Sequence, residues 1–324
     1  MLNYVARRVL LMVPLLIGVS IINFGIIKMA PGDPLMAMAI DPQHFVNITP
    51  EEQAKLKEAL GLNEPVHKQY LNWAKEVING NLGISLISRR PVKDLIKERL
   101  PATISLGATA LIISILIALP IGIVSAVKQY SLTDYIATLY AFIGVSIPAF
   151  WLGLMVVYLF SLRLGWFPTG GRGSFDVAPG IWPMIVDRLH HFVLPVVTLS
   201  ASSLAGWMRY QRTSMVETFK QDYVRTARAK GLSELTVIVK HAWHNSLIPI
   251  VTLLGFSLTN LIGGAYIVEV IFSWPGMGRL GVEAIFRRDY PLVMGVGLVS
   301  SFMVMLGNLL ADILYAFVDP RIRY

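Results

Sequence analysis

The sequence predicts an all-α polytopic membrane protein with six transmembrane helices, and three observations predict it. Hydrophobic residues make up 55% of the 324 and charged residues only 15%, a balance foreign to soluble domains. Six runs without an ionised side chain, 9–27, 100–127, 135–162, 189–208, 245–268 and 290–311, are each long enough to cross about 30 Å of hydrocarbon as a helix. Lysine and arginine, finally, are shared unequally among the connecting segments, as the positive-inside rule requires of a spanning chain.

The first run follows Arg7 and Arg8 and has no small-residue cleavage site behind it, so it reads as a retained helix rather than a secretory signal. With residues 1–28 as tail and first helix, residues 29–99 form a long insertion carrying nine basic and nine acidic side chains. Loops of that length cross regardless of charge, which suits an extracytoplasmic position. Two helical stretches give it structure. One runs over 49–60 with Thr49 as cap and Gly61 as stop; the other, 65–77, sets Val66, Tyr70, Trp73 and Val77 at helical spacing to pack within the loop. The membrane core is then 100–318, with a short tail over 319–324.

With both termini in the cytoplasm, twelve basic residues collect inside: Arg7, Arg8, Lys128, Arg321, Arg323 and seven between Arg209 and Lys240. Six collect in the short outer loops, from Arg163 to Arg288. The net charge of +8 is thus a topology signal directed at the lipid bilayer, with no aromatic-interleaved basic patch of the kind that reads nucleic acid. There is no cysteine, which excludes disulfides and thiolate metal sites. No phosphate loop, zincin motif or nucleophile elbow is present either. His190, His191, His241 and His244 read as interfacial side chains rather than metal ligands, and Ser257 as a helix-packing hydroxyl. A hydrolase built on Ser257 with His241 or His244, and a stand-alone channel, are the readings from other classes.

The largest inner segment, 211–245, is where function is expected. Met215, Phe219, Tyr223 and Ala227 recur every four residues, predicting a helix over 213–229 that Gly231 ends; Ser233 then caps a second over 233–241. Two short helices joined at a glycine make a knob whose small residues Thr226, Ala227 and Ala229 admit a partner's backbone. An amphipathic hairpin resting on anionic lipid is the alternative. Within the spans, Pro14, Pro120, Pro148, Pro195 and Pro249 bend or begin helices. Asn260 and Asn308 lie deep enough either to pack helices or to line a path. Glu269 and Asp312, near span ends, are expected to pair at the interface, and the turn around Trp274, Pro275 and Gly276 is either an outer gate or docking element or a plain connector.

The string DYVRTARAKGL from Asp222, followed by His241-x-x-x-Asn245 and Pro249, resembles the coupling loop of binding-protein-dependent ABC importer permeases, in the form used by the dipeptide, oligopeptide and nickel branch. Gly231 matches the glycine of the family's E-A-A-x-x-x-G signature and Ala227 its second alanine; Arg225 stands at the glutamate position and Thr226 at the first alanine, and His241, Trp243 and His244 replace Ile, Leu and Pro. The likeness extends over nearly the whole chain, through the P-L-L-x-G-V-S opening, Pro31-Gly32-Asp33-Pro34, EVIFSWPGMG from Glu269, Arg288-Asp289-Tyr290-Pro291 and Asp319-Pro320-Arg321. The long insertion is similar to that of the branch's B-type subunit. The resemblance implies a multi-pass subunit of the cell (inner or plasma) membrane that forms half of a translocation path with a second homologous permease. It implies two cytoplasmic ATPase subunits, which hold ATP and Mg, and an extracytoplasmic solute-binding protein, with no cofactor in this chain. Coupling would run through Asp222, Tyr223, Arg225, Thr226, Ala227, Arg228, Ala229, Lys230 and Gly231. Dipeptides or oligopeptides are the expected cargo, with nickel or another small solute carried by the same machinery as the alternative.

Overall fold

The computed structural model describes residues 2–29, 63–174, 176–263 and 265–318. The expected helix over 49–60, the Pro31–Pro34 string and the closing Asp319-Pro320-Arg321 lie outside them. Among the described residues the chain is helical throughout, and the only β pairing is an isolated bridge between Ile84 and Pro91. The helices are α1 (Leu2–Met29), α2 (Val66–Ile78), α3 (Val92–Val127), α4 (Leu132–Ser146) and α5 (Ala149–Val156), the last continuing as a π-helix over Val157–Arg163. They are followed by α6 (Ile181–Phe219), α7 (Asp222–Ala229), a single turn Glu234–Thr236 with a π-helix over Val237–Trp243, α8 (His244–Gly263), α9 (Tyr266–Ile271), α10 (Met277–Phe286) and α11 (Tyr290–Val318).

Four of these, α1, α3, α6 and α11, are each long and apolar enough to cross a membrane, and α4 with α5 makes a fifth if the pair is one broken span. That pair corrects the uninterrupted helix expected over 135–162. The axis bends by 103° at Ile147, which is extended (φ −81°, ψ 123°) because the ring of Pro148 excludes the α region from the residue before it. The expected span over 245–268 is likewise divided: α8 ends at Gly263 and α9 starts afresh at Tyr266. α3 begins at Val92, eight residues ahead of the run that announced it, and passes through Pro101, so the insertion's last turns belong to the same rod as the second span.

Packing depends on close helix approach rather than bulk. A Cβ on Gly122 of α3 would stand 2.8 Å from both Gln211 Cβ and the Met208 carbonyl oxygen of α6, and one on Gly255 of α8 would stand 2.6 Å from Ala311 Cβ of α11. Small residues at such crossings are how helices associate where lipid removes the hydrophobic drive. α2 lies on α1, correcting the expectation that its aromatic face packs within its own loop: the Tyr70 and Trp73 rings sit 5.5 and 6.0 Å from that of Phe24, and the Tyr70 hydroxyl is 2.9 Å from Ser20 Oγ. Asp289, 1% exposed, completes this end by accepting from Ser85 Oγ (2.5 Å) and the Leu86 amide (3.0 Å), which ties the insertion to the start of α11.

Candidate functional site

The loop after α6 folds into a compact knob. α6 does not run on to Ala229; it stops at Phe219, and Gln221 turns extended (φ −76°, ψ 146°) to start α7. The helix expected over 213–229 is therefore two helices, and the four-residue spacing from Met215 to Ala227 crosses a break. Beyond it Val224 and Ala227, three apart on α7, turn inward against Val237 with Phe219 packed beside them. Ala227 is 4% exposed, so its small size serves the knob's own closure, whereas Asp222, Tyr223, Arg225, Thr226, Arg228, Ala229, Lys230 and Gly231 are exposed.

α7 ends in a two-bond C-cap. The Leu232 amide donates to the Ala227 carbonyl (3.4 Å) and the Gly231 amide to that of Arg228 (2.9 Å), with Gly231 at φ +74°, the left-handed position that a side chain penalises. Gly231→Val is expected to cost about 1–2 kcal/mol locally, read as faster amide exchange over 222–236 with the spans unaffected. Ser233 then caps the next turn as its sequence predicts, accepting from the Thr236 amide at 3.4 Å. The segment over 237–243, however, is π-helical and leads directly into α8.

Arg228 closes the knob from outside, donating to Glu234 through Nη2 (2.6 Å) and Nε (3.2 Å) and lying 5.5 Å over the Phe219 ring. Its guanidinium holds the Glu234 carboxyl below the usual carboxylate range. A carboxylate lowered by folding adds stability above its unfolded value, near pH 4.3, and loses it as pH falls through the lower folded value. With 44% and 58% of the two side chains exposed, the pair contributes about 0.5 kcal/mol or less. Glu234→Gln is accordingly expected to leave loop exchange almost unchanged at pH 7 and to remove its acid dependence below about pH 4. The exposed Asp222–Arg225 pair, at 3.5 Å, carries little.

A buried polar junction that sequence reasoning missed joins the knob to the bundle. Asp134 on α4, 3% exposed, accepts from Arg212 of α6 through Nε (2.6 Å) and Nη2 (2.8 Å), from Ser125 Oγ of α3 (2.5 Å) and from the Tyr130 amide (2.9 Å). The one available signal was Ser131 three residues ahead of Asp134, a capping pattern. Beside Arg212 on α6, Gln211 and Ser214 both bond Ser246 of α8, through Nε2 to Oγ (2.9 Å) and Oγ to the carbonyl (2.9 Å). The knob's root is thereby fixed to three helices.

At the opposite end, Glu269 of α9 is fully buried. It departs from the expected interfacial pairing with a cation: Thr103 Oγ1 donates to it (2.6 Å), as do the Gly278 (2.8 Å) and Arg279 (3.1 Å) amides at the start of α10. Thr103 in turn accepts from the Met277 amide at 2.7 Å. A carboxylate facing the free amides of a helix start is stabilised without a counter-ion. Trp274, 3% exposed, donates from Nε1 to the Ala102 carbonyl (3.0 Å), and Gly276 is buried while Pro275 is half-buried. Trp274 thereby packs the turn against α3, while Ser273 beside it stays exposed.

The remaining expected residues are scattered. Asn308 lines a cavity of about 430 Å³ among α1, α8 and α11, where Asp312 pairs with Arg8 at 3.1 Å; the side chain of Asn260 lies outside the described residues. His190 and His191 contact the Trp166 (2.6 Å) and Asp187 (2.9 Å) carbonyls. Among the described residues no group of three or more potential metal ligands exists. Ser257 stands thirteen residues along α8 from His244, about 20 Å at the helical rise, too far for a nucleophile and its base.

The apolar helices of this architecture define a multi-pass membrane component. The chain belongs to the binding-protein-dependent transport system inner membrane component family: the sequence model of that family matches residues 118–324 and the model of its N-terminal region matches 1–107. It is 43% identical over 322 residues to the oligopeptide transport system permease protein AppB of Bacillus subtilis, covering 99% of each chain. It is 40% identical over 341 residues to the dipeptide transport system permease protein DppB of Escherichia coli K12, covering 100% of this chain and 99% of that one. A putative peptide permease protein of Brucella ovis is 43% identical over 324 residues, with 100% and 99% covered. The crystal structure of an amino acid ABC transporter with histidines shares the fold, with a TM-score of 0.54 at 16% identity over 69% of this chain and 94% of that chain.

Proposed function

We propose that this chain is one of two homologous permease subunits of an ATP-driven importer of dipeptides or oligopeptides in the cell membrane. The observation that carries the reading is the knob: α7 is held by its own buried pair Val224 and Ala227 and presents Tyr223, Arg225, Thr226, Ala229 and Lys230 outward. An apolar interior with a small-residue, cationic exterior is a rigid contact surface, and the Asp134–Arg212 junction gives it leverage on α3, α4 and α6. Full-length relatives named as peptide permeases favour peptides over nickel as cargo. Six spans, with α8 as the fifth, put both termini and the knob in the cytoplasm, where the count of lysine and arginine is highest.

In this reading two ATPase subunits carrying ATP and Mg engage the knob, a solute-binding protein delivers peptide at the other face, and the second permease supplies the other half of the path. Asn260 and Asn308 line that half-path. Glu269, Trp274, Pro275 and Gly276 hold the outer gate, through the fixed distance between α3 and α10. Ala229→Trp tests it, because the position is exposed and the change leaves the knob's interior intact. ATP hydrolysis by the reconstituted complex is expected to persist while peptide uptake per ATP falls about tenfold, within the range of ordinary coupling energies. Unaltered uptake in that variant sinks the assignment of the knob as the coupling surface.

A further inference from the structure

We infer that the cleft between α4 and α6, at the knob end of the bundle, is a binding site for the phosphate headgroup of an anionic membrane phospholipid. The cleft has a volume of about 200 Å³, with Arg209, Arg212, Thr138 and Thr213 at its polar end and Ala141 and Val145 leading away from them.

The two arginines differ in what they have left to offer. Arg212 is committed to Asp134 through both of its bonds, so that pair brings no net charge. The Arg209 guanidinium lies over the face of Phe142, at 6.0 Å, and among the described residues no carboxylate lies within ion-pair reach of it. The hydroxyls of Thr138 and Thr213 likewise make no side-chain hydrogen bond among the described residues. One unneutralised cation and two free hydroxyl donors around one cleft suit a phosphodiester, which carries one charge and several acceptor oxygens. Basic pockets between membrane helices on the inner side take such headgroups.

Depth and apolar lining argue for a lipid rather than a soluble anion. Tyr130 and Tyr135 lie within four residues of Asp134 along the chain and Tyr210 adjoins Arg209, all three exposed, by 77%, 61% and 53%, and aromatic side chains of that amphipathic kind collect at the bilayer–water boundary. From that level Ala137, Ala141 and Val145 descend α4 at four-residue intervals along the cleft, flanked at its mouth by Phe142 (59% exposed) and Val145 (57%). A headgroup at Arg209 thus has a groove for its acyl chain directly below. Because α6 runs on without interruption from Arg209 to Phe219, an occupied cleft stiffens the root of the knob. The inference rests on the proposed topology only for the leaflet, which becomes the inner one.

The test is lipid retention by the intact complex. Purified in mild detergent and examined by native mass spectrometry, wild type is expected to keep phosphatidylglycerol over phosphatidylcholine, and Arg209→Gln to lose that adduct about fivefold, the weight of one interfacial arginine. Thr138→Val/Thr213→Val, which leaves the charge in place, is expected to weaken it less. In discs of phosphatidylcholine alone, replacing part of the lipid by phosphatidylglycerol is expected to raise the melting temperature of wild type but not of Arg209→Gln, and added inorganic phosphate to do nothing. Equal adducts in wild type and Arg209→Gln overturn the site. Protection by inorganic phosphate alone makes it a soluble-anion site, and shedding of the second permease by Arg209→Gln with lipid retained makes it a protein interface; either rejects the lipid. Failure of wild type to import peptide rejects the transport reading and leaves the lipid readout standing.

Discussion

Replacing Asp134 with alanine is expected to lower stability by about 2–3 kcal/mol and to separate the knob-end termini of α3, α4 and α6. Breaking a fully buried ion pair costs about 3–5 kcal/mol because the surviving charge is left without compensation. Here the surviving Arg212 side chain retains 29% of its exposure, so solvent recovers part of that. Ser125 Oγ and the Tyr130 amide lose their acceptor in the same step. Thermal unfolding of the purified chain in detergent measures the loss, and Arg212→Met placed on the Asp134→Ala background is expected to recover part of it by removing the orphaned cation. A destabilisation under about 0.5 kcal/mol, the level of an exposed pair, would falsify the junction's role.

At the other end, Gly276→Ala is expected to be among the most damaging single-methyl additions in the chain. The new Cβ would stand 2.2, 2.3 and 2.4 Å from three atoms of the Glu269 carboxyl group. That group has nowhere to retreat: moving it frees Thr103 and two amides at the start of α10 while leaving a carboxylate in an apolar interior. Unpaired buried groups of this kind bring the loss to about 3 kcal/mol or more. Membrane yield and protease sensitivity of the turn 272–278 report it. Glu269→Gln, which keeps the volume and one carbonyl acceptor, is expected to be milder; an alanine at 276 with wild-type yield and protection removes the argument.

What was legible in the sequence was whatever depended on neighbours along the chain. Uncharged runs announced the apolar helices, and Gly231 followed by Ser233 announced a helix stop and a fresh cap, both of which the backbone adopts. Phase across a break was not legible. The spacing from Met215 to Ala227 presumed one helix, but the extended Gln221 resets the count. On the second helix Val224 joins Ala227 inside, while Tyr223 stays 42% exposed. The bend at Ile147 follows from Pro148, yet its 103° is set by what α5 packs on. Least visible were the polar partners. Asp134 and Arg212 are 78 positions apart, and Thr103 and Glu269 are 166; spacing rules say nothing at such separations, so Glu269 read as an interfacial acid seeking a cation.

The π-helix over Val237–Trp243 sits between the knob and α8. It accommodates one residue more than the α-helical path beyond it, and one residue corresponds to about 100° of rotation about the axis. Were that surplus to migrate along the rod while the loop stayed folded, each residue it passed would turn by that angle, and the stretch between Trp243 and Pro249 would present a different set of side chains. A change of face would then stay local, with the rod beyond undisturbed.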